Sequence, residues 1–114
     1  MPRGNKFGAV KKTVDGIKFA SGREADRYLE LKLLLSAGEI SDLKLQPKFQ
    51  LQDGFTDQWS GKRERAITYT ADFRYVENGH QVVEDVKGVQ TAAFRLKWKL
   101  TKVQNPDIEF RIVK

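Results

Sequence analysis

Residues 82–88 read VVEDVKG. Val82, Val83 and Val86 ask for a buried strand, yet Glu84, Asp85 and Lys87 bring charge to the same place. Just upstream, residues 77–80 read ENGH. Asn-Gly between alternating segments is a strong hairpin signal, because a type I′ turn needs positive φ at both central residues. A two-residue loop at Asn78-Gly79 sets the register: Glu77 faces His80, Tyr75 faces Val82 and Asp72 faces Asp85. Counted outward from the turn, Asp72–Asp85 is a non-hydrogen-bonded pair, in which Cα atoms approach to about 4.5 Å. Like charges so placed destabilise a sheet unless a proton, a cation or a basic group compensates. Thr70, Asp72 and Arg74 share this face with Val83, Asp85 and Lys87, and Lys87 faces Thr70. Glu84 falls on the other face, among Phe73, Val82 and Val86, as a surface group or a support behind the acids. A bulge would break this register. The plainer reading is that Arg74 and Lys87 neutralise the acids on a solvated face.

Working outward, residues 66–76 (AITYTADFRYV) and 80–87 form the two strands of the hairpin, and 43–52 (LKLQPKFQLQ) alternates as an earlier strand with Pro47 marking an edge or bend. Between them, DGFTDQWSGKRER is a loop or hairpin tip. Residues 21–40 read as a helix: Ser21 is the N-cap, Glu24 completes a capping box, and Gly38 stops it. Its stripe is Tyr28, Leu31, Leu34 and Leu35, and Glu24 lies on that core side. A D-G turn inside KTVDGIKFAS suggests a small hairpin or arm. Residues 91–105 form a second helix with Ala93, Leu96, Leu100 and Val103 as its apolar stripe, ended by Asn105-Pro106. DIEFRIV is the last strand. The expected fold is α/β: a helix, a three-stranded antiparallel meander, a crossover helix and a strand in a mixed sheet.

With 114 residues the chain is expected to form one domain over 1–114, with 1–12 a flexible basic arm. It has no cysteine, which excludes thiol nucleophiles and thiolate metal sites, and its one histidine, His80, sits in the turn. No apolar run or leader pattern marks a membrane span or signal peptide, so a cytoplasmic protein with no membrane partner is expected. The net charge of +6 suits a polyanionic partner.

A helical Glu24, an Asp72 late in one strand and Asp85-x-Lys87 in the next, followed by a helix and a strand, resembles the PD-(D/E)xK nuclease superfamily over roughly residues 20–113. The pattern is similar to small phage-type, Holliday junction resolvase-like endonucleases, to short phage and prophage proteins of unassigned function, and to the nuclease domain of certain transposition proteins. Ala71 replaces the motif's proline, and Asp85 stands where Glu is commoner. The resemblance implies a restriction-endonuclease-like core. It also implies an Mg²⁺-dependent endodeoxyribonuclease, with Mn²⁺ substituting, acting on branched or structured DNA in phage recombination or DNA processing.

Carboxylate oxygens suit such hard ions. In this reading Asp72, Asp85 and the Val86 carbonyl hold the metal. Glu24 binds a second ion or its water, and Lys87 orients the attacking water or offsets charge at the phosphate. Gln46 and Glu84 support the site. DNA phosphates would meet Arg95, Lys97, Lys99 and Lys102 on the second helix and Lys62, Arg63 and Arg65 in the mid-chain loop. Arg3, Lys6, Lys11 and Lys12 add charge from the arm. Trp59 is expected to pack over the sheet rather than stack on bases, and Trp98 to be interior or at a subunit contact. Cutting both strands of a symmetric junction calls for a homodimer. The alternative is a nucleic-acid-binding module that keeps the fold without turnover.

Overall fold

The computed structural model describes residues 10–114. A hairpin comes first, β1 (Lys12–Val14) and β2 (Ile17–Phe19), turning at Asp15 and Gly16 with φ of 52° and 74°. Arg3 and Lys6 lie outside the described residues, whereas Lys12, assigned to the loose arm, is in β1 and pairs with Asp26 at 3.7 Å. Helix α1 (Gly22–Ser36) follows. Ser21 accepts the Glu24 N–H at its start. At its end Gly38 and Glu39 N–H groups return to the Leu35 and Leu34 carbonyls, with Gly38 at φ 76°. This is the double bond of a Schellman stop.

The remaining elements are β3 (Ser41–Leu45), β4 (Lys48–Gln52), β5 (Phe55–Thr56), β6 (Arg63–Glu64), β7 (Ile67–Thr70), β8 (Phe73–Glu77), β9 (His80–Val86), α2 (Ala92–Gln104) and β10 (Ile108–Val113). A four-stranded sheet has the order β10-β9-β8-β3, antiparallel except for β10 along β9, which α2 connects. The described residues are therefore α/β, with a mixed sheet and two helices. Its Asn78-Gly79 turn has φ of 50° and 80°, and the β8–β9 pairs run as the turn dictates, from Glu77↔His80 to Phe73↔Glu84.

Two expected strands are each broken. The segment 43–52 divides at Gln46-Pro47 into β3 and β4, and 66–76 divides at Ala71-Asp72 into β7 and β8. Gln46 takes a positive φ of 52°, and the breaks are stitched together by Gln46 N–H to Asp72 O and Ala71 N–H to Pro47 O (2.9 and 3.0 Å). Beyond them β4 pairs with β7 and leaves the main sheet, so Thr70 faces Lys48 and not Lys87.

The breaks change which side the side chains face. Phe73 and Tyr75 pack with Val82 under α1, in a core with Phe19, Ala25, Tyr28, Leu31 and Ile40. Tyr69 and Ala71 keep the same odd numbering but pack on the other side, with Phe49, Val83, Phe94 and Trp98 of α2. A one-residue irregularity has this effect because side chains alternate with period two. Helix α2 accordingly buries Phe94, Trp98 and Thr101; the expected stripe of Ala93, Leu96, Leu100 and Val103 is exposed. Aromatic contacts decide this: Trp98 lies edge-on to Tyr69 and Phe110 at 5.9 and 5.3 Å, an arrangement that adds to plain area burial. Trp98 is thus interior. No helix among the described residues is long and apolar enough to cross a membrane.

Candidate functional site: paired acids at the strand break

The β7–β8 break positions Asp72. Its N–H bonds the Glu84 carbonyl (3.1 Å), although Glu84 is already the ladder partner of Phe73. Two residues of one strand oppose one of the next, as in a bulge. The simple cross-strand placement of Asp72 against Asp85 is therefore corrected: Asp72 lies just before β8, and its Oδ2 accepts the Val86 N–H at 2.7 Å. That bond takes up a β9 donor beyond the end of the ladder with β8.

The acids still meet. Asp85 is buried, facing the α2 core, and accepts the Tyr69 hydroxyl. Lys87 Nζ is 3.6 Å from Asp85 Oδ1 and 4.9 Å from the centre of the Phe94 ring. Burial, followed by the charge of Asp85, pushes Asp72 up to about 7, with the Val86 N–H opposing. Burial also raises Asp85, against hydrogen bonds from Tyr69 and Asp72 and the charge of Lys87. A proton held on Asp72 thus stabilises an ionised Asp85. Glu24, buried in the first turn of α1, is raised by burial and then by Asp85, and lowered by the Ala20 N–H.

Among the described residues, no three acidic or histidine side chains close to metal-binding distance. Glu24 comes from α1, whose core side packs with Phe73, Tyr75 and Val82, and acts on the pair through its charge. The donor set nonetheless fits one hard divalent ion. Mg²⁺ is commonly held by one or two carboxylates plus waters and substrate oxygens, not by a full protein cage. Asp72, Asp85 and the Val86 carbonyl are the oxygens on hand.

The other expected residues divide. Glu84 is on the far face, as the turn register predicts, but it is no surface group: it is fully buried, and Arg27 binds both its oxygens at 2.8 and 2.6 Å while Tyr75 donates its hydroxyl. Arg74 does not neutralise the acids; it bonds Gln81 and lies over Phe49. Gln46 is exposed and reaches Asp72 only through its main chain. On α2, Arg95, Lys99 and Lys102 are exposed and Lys97 is half-buried. Lys62, Arg63 and Arg65 are exposed on and beside the β5–β6 hairpin. Trp59, expected over the sheet, is 91% exposed at that hairpin's tip. Sequence reasoning missed Tyr69, since an unbroken strand would set it opposite Gly88. It also missed Arg27, whose one available signal was its place a helical turn after Glu24.

An α/β domain with a buried and a half-buried carboxylate set against each other beside a lysine at a strand break is the class that fold and site define. Residues 4–114 match the family described as "Protein of unknown function (DUF1064)", and the chain belongs to that family. No curated protein and no solved structure matches it.

Proposed function

We propose that the chain is a metal-dependent DNA endonuclease with a restriction-endonuclease-like core, acting on branched or structured DNA. The observation that carries this reading is the under-neutralised pair: Asp72 and Asp85 are held side by side, with Lys87 the cation at hand and 3.6 Å away. A protein that only binds DNA gains nothing from buried carboxylates that repel phosphate. When bound, a divalent ion supplies Lewis-acid stabilisation at the phosphate and an acidified water. Asp72 and Asp85 would hold it, with Asp72 in its ionised form. Tyr69 fixes the Asp85 carboxylate, and burial keeps the Tyr69 phenol protonated so that it stays a donor. Lys87 offsets charge building on the phosphate or orients the attacking water. Exposed Arg95, Lys99 and Lys102 would contact phosphates without reading sequence.

The test is incubation of purified protein with duplex, flap and four-way-junction DNA in Mg²⁺, Mn²⁺ or chelator. Cleavage is expected with metal only, and its loss in Asp72→Asn or Asp85→Asn with binding retained or tighter. Full activity in either variant, or none on any substrate, overturns the reading.

A further inference from the structure

The β5–β6 hairpin carries a feature the site chemistry does not use. Trp59 is 91% exposed, and nothing among the described residues covers its indole. The tip beneath it is firmly built. Asp57 Oδ1 accepts the Trp59 N–H at 2.9 Å; Asp57 N–H bonds Lys62 O, and Gly61 N–H bonds Asp57 O, both at 2.8 Å. Gly61 supplies the positive φ of 74° that closes the turn. The ring is therefore displayed from a fixed backbone, which lowers the ordering cost of binding through it. Between residues 54 and 65 the cations are Lys62, Arg63 and Arg65, against Asp57 and Glu64. Asp57 is turned into the tip's own N–H groups.

An aromatic face flanked by cations on a projecting hairpin matches one chemistry: flat, apolar bases strung on a phosphate backbone. Paired bases inside a duplex offer no free face, whereas unpaired bases at a gap, an end or a branch do. We propose that Trp59 stacks on unpaired bases and gives the protein its preference for structured over duplex DNA. This deepens the DNA reading above and rests on it, but it does not depend on cleavage.

The test uses the full chain in chelator, so that no strand is cut. Trp59 and Trp98 are the two tryptophans, one exposed and one buried. Titration with oligothymidine or a four-way junction is expected to quench the water-exposed emission and leave the buried emission unchanged. A blunt duplex is expected to leave both unchanged. Trp59→Ala is expected to remove the quench and weaken oligothymidine and junction binding roughly 5- to 150-fold, the span of one stacked base. Duplex affinity stays within about two-fold, since phosphate contacts are untouched. Trp59→Phe restores most of the loss. Equal weakening on duplex, unchanged junction binding in Trp59→Ala, or an absent quench overturns the proposal, and capture of a lipid vesicle or acidic peptide in place of DNA does so as well. Quenching and selective loss without any cleavage in metal would leave the stacking standing and remove the nuclease.

Discussion

Glu84 and Asp85 are neighbours in the chain and opposites in their surroundings. Toward α1, Glu84 is fully buried, yet a two-pronged Arg27 and the Tyr75 hydroxyl satisfy it completely. Toward α2, Asp85 shares its space with Asp72 under the field of Glu24, and a single half-exposed lysine stands 3.6 Å off. One side of β9 is a closed ion pair with nothing left to bind. The other has more negative charge than its surroundings neutralise. Buried charge alone does not mark a site; the imbalance does.

The comparison breaks most severely at Arg27. Arg27→Ala strands a carboxylate in the core, and removing one partner of a buried pair typically costs 3–5 kcal/mol. Urea unfolding should show a loss of that size, with Glu84→Gln losing less because the Arg27 it leaves behind is 20% exposed and keeps Glu30 at 3.7 Å. A smaller deficit for Arg27→Ala than for Glu84→Gln would overturn this ranking.

The acid pair predicts the opposite sign with pH. Asp72 is raised from 3.8 to about 7, so between those values the folded state holds a proton that the unfolded chain has released. Metal-free stability therefore falls as pH climbs from about 4 through 7, by at most about 4 kcal/mol at 1.36 kcal/mol per unit. Melting in chelator across this range checks it, and Asp72→Asn should flatten the profile.

At pH 8 in chelator, Asp72→Asn should melt above the parent. Relief of repulsion contributes roughly 0.2–1 kcal/mol, and relief of burying the charge adds to it. The amide can still accept the Val86 N–H. The smallest gain is expected for Asp85→Asn, which leaves Lys87 without its partner. Mg²⁺ should then stabilise the parent more than either variant, since binding to the folded state alone raises stability. Equal Mg²⁺ shifts in all three proteins would place the acids among ordinary surface groups.

The turn and the helix ends were legible because each rests on local chemistry: Ser21 as cap, Gly38 as stop, Asn78-Gly79 as turn. The pairing from Glu77↔His80 to Phe73↔Glu84, and hence the opposite facing of Glu84 and Asp85, followed from the turn alone. The strand breaks were hidden because the apolar residues stay on odd numbers through them: Leu43, Leu45, Phe49 and Leu51, then Tyr69, Ala71, Phe73 and Tyr75. Alternation reads as continuous even where the backbone changes phase, so Tyr69 could not be placed beside Asp85. On α2, counting apolar residues favoured Leu96, Leu100 and Val103, whereas ring contacts to Tyr69 and Phe110 turned Phe94 and Trp98 inward.

The arm that leaves the sheet at Gln46-Pro47 and returns at Ala71-Asp72 has Asp72 at its root and Trp59 at its tip. From Pro47 to Trp59 it can extend no further than about 40 Å at roughly 3.3 Å per residue. If the ring marks a branch point and the acids mark the cut, the arm is a ruler. The nick should then fall within about twelve base steps of the branch, at 3.4 Å per step. Mapping cut positions on junctions would read that length directly, and shortening the β5–β6 hairpin should draw the cuts inward.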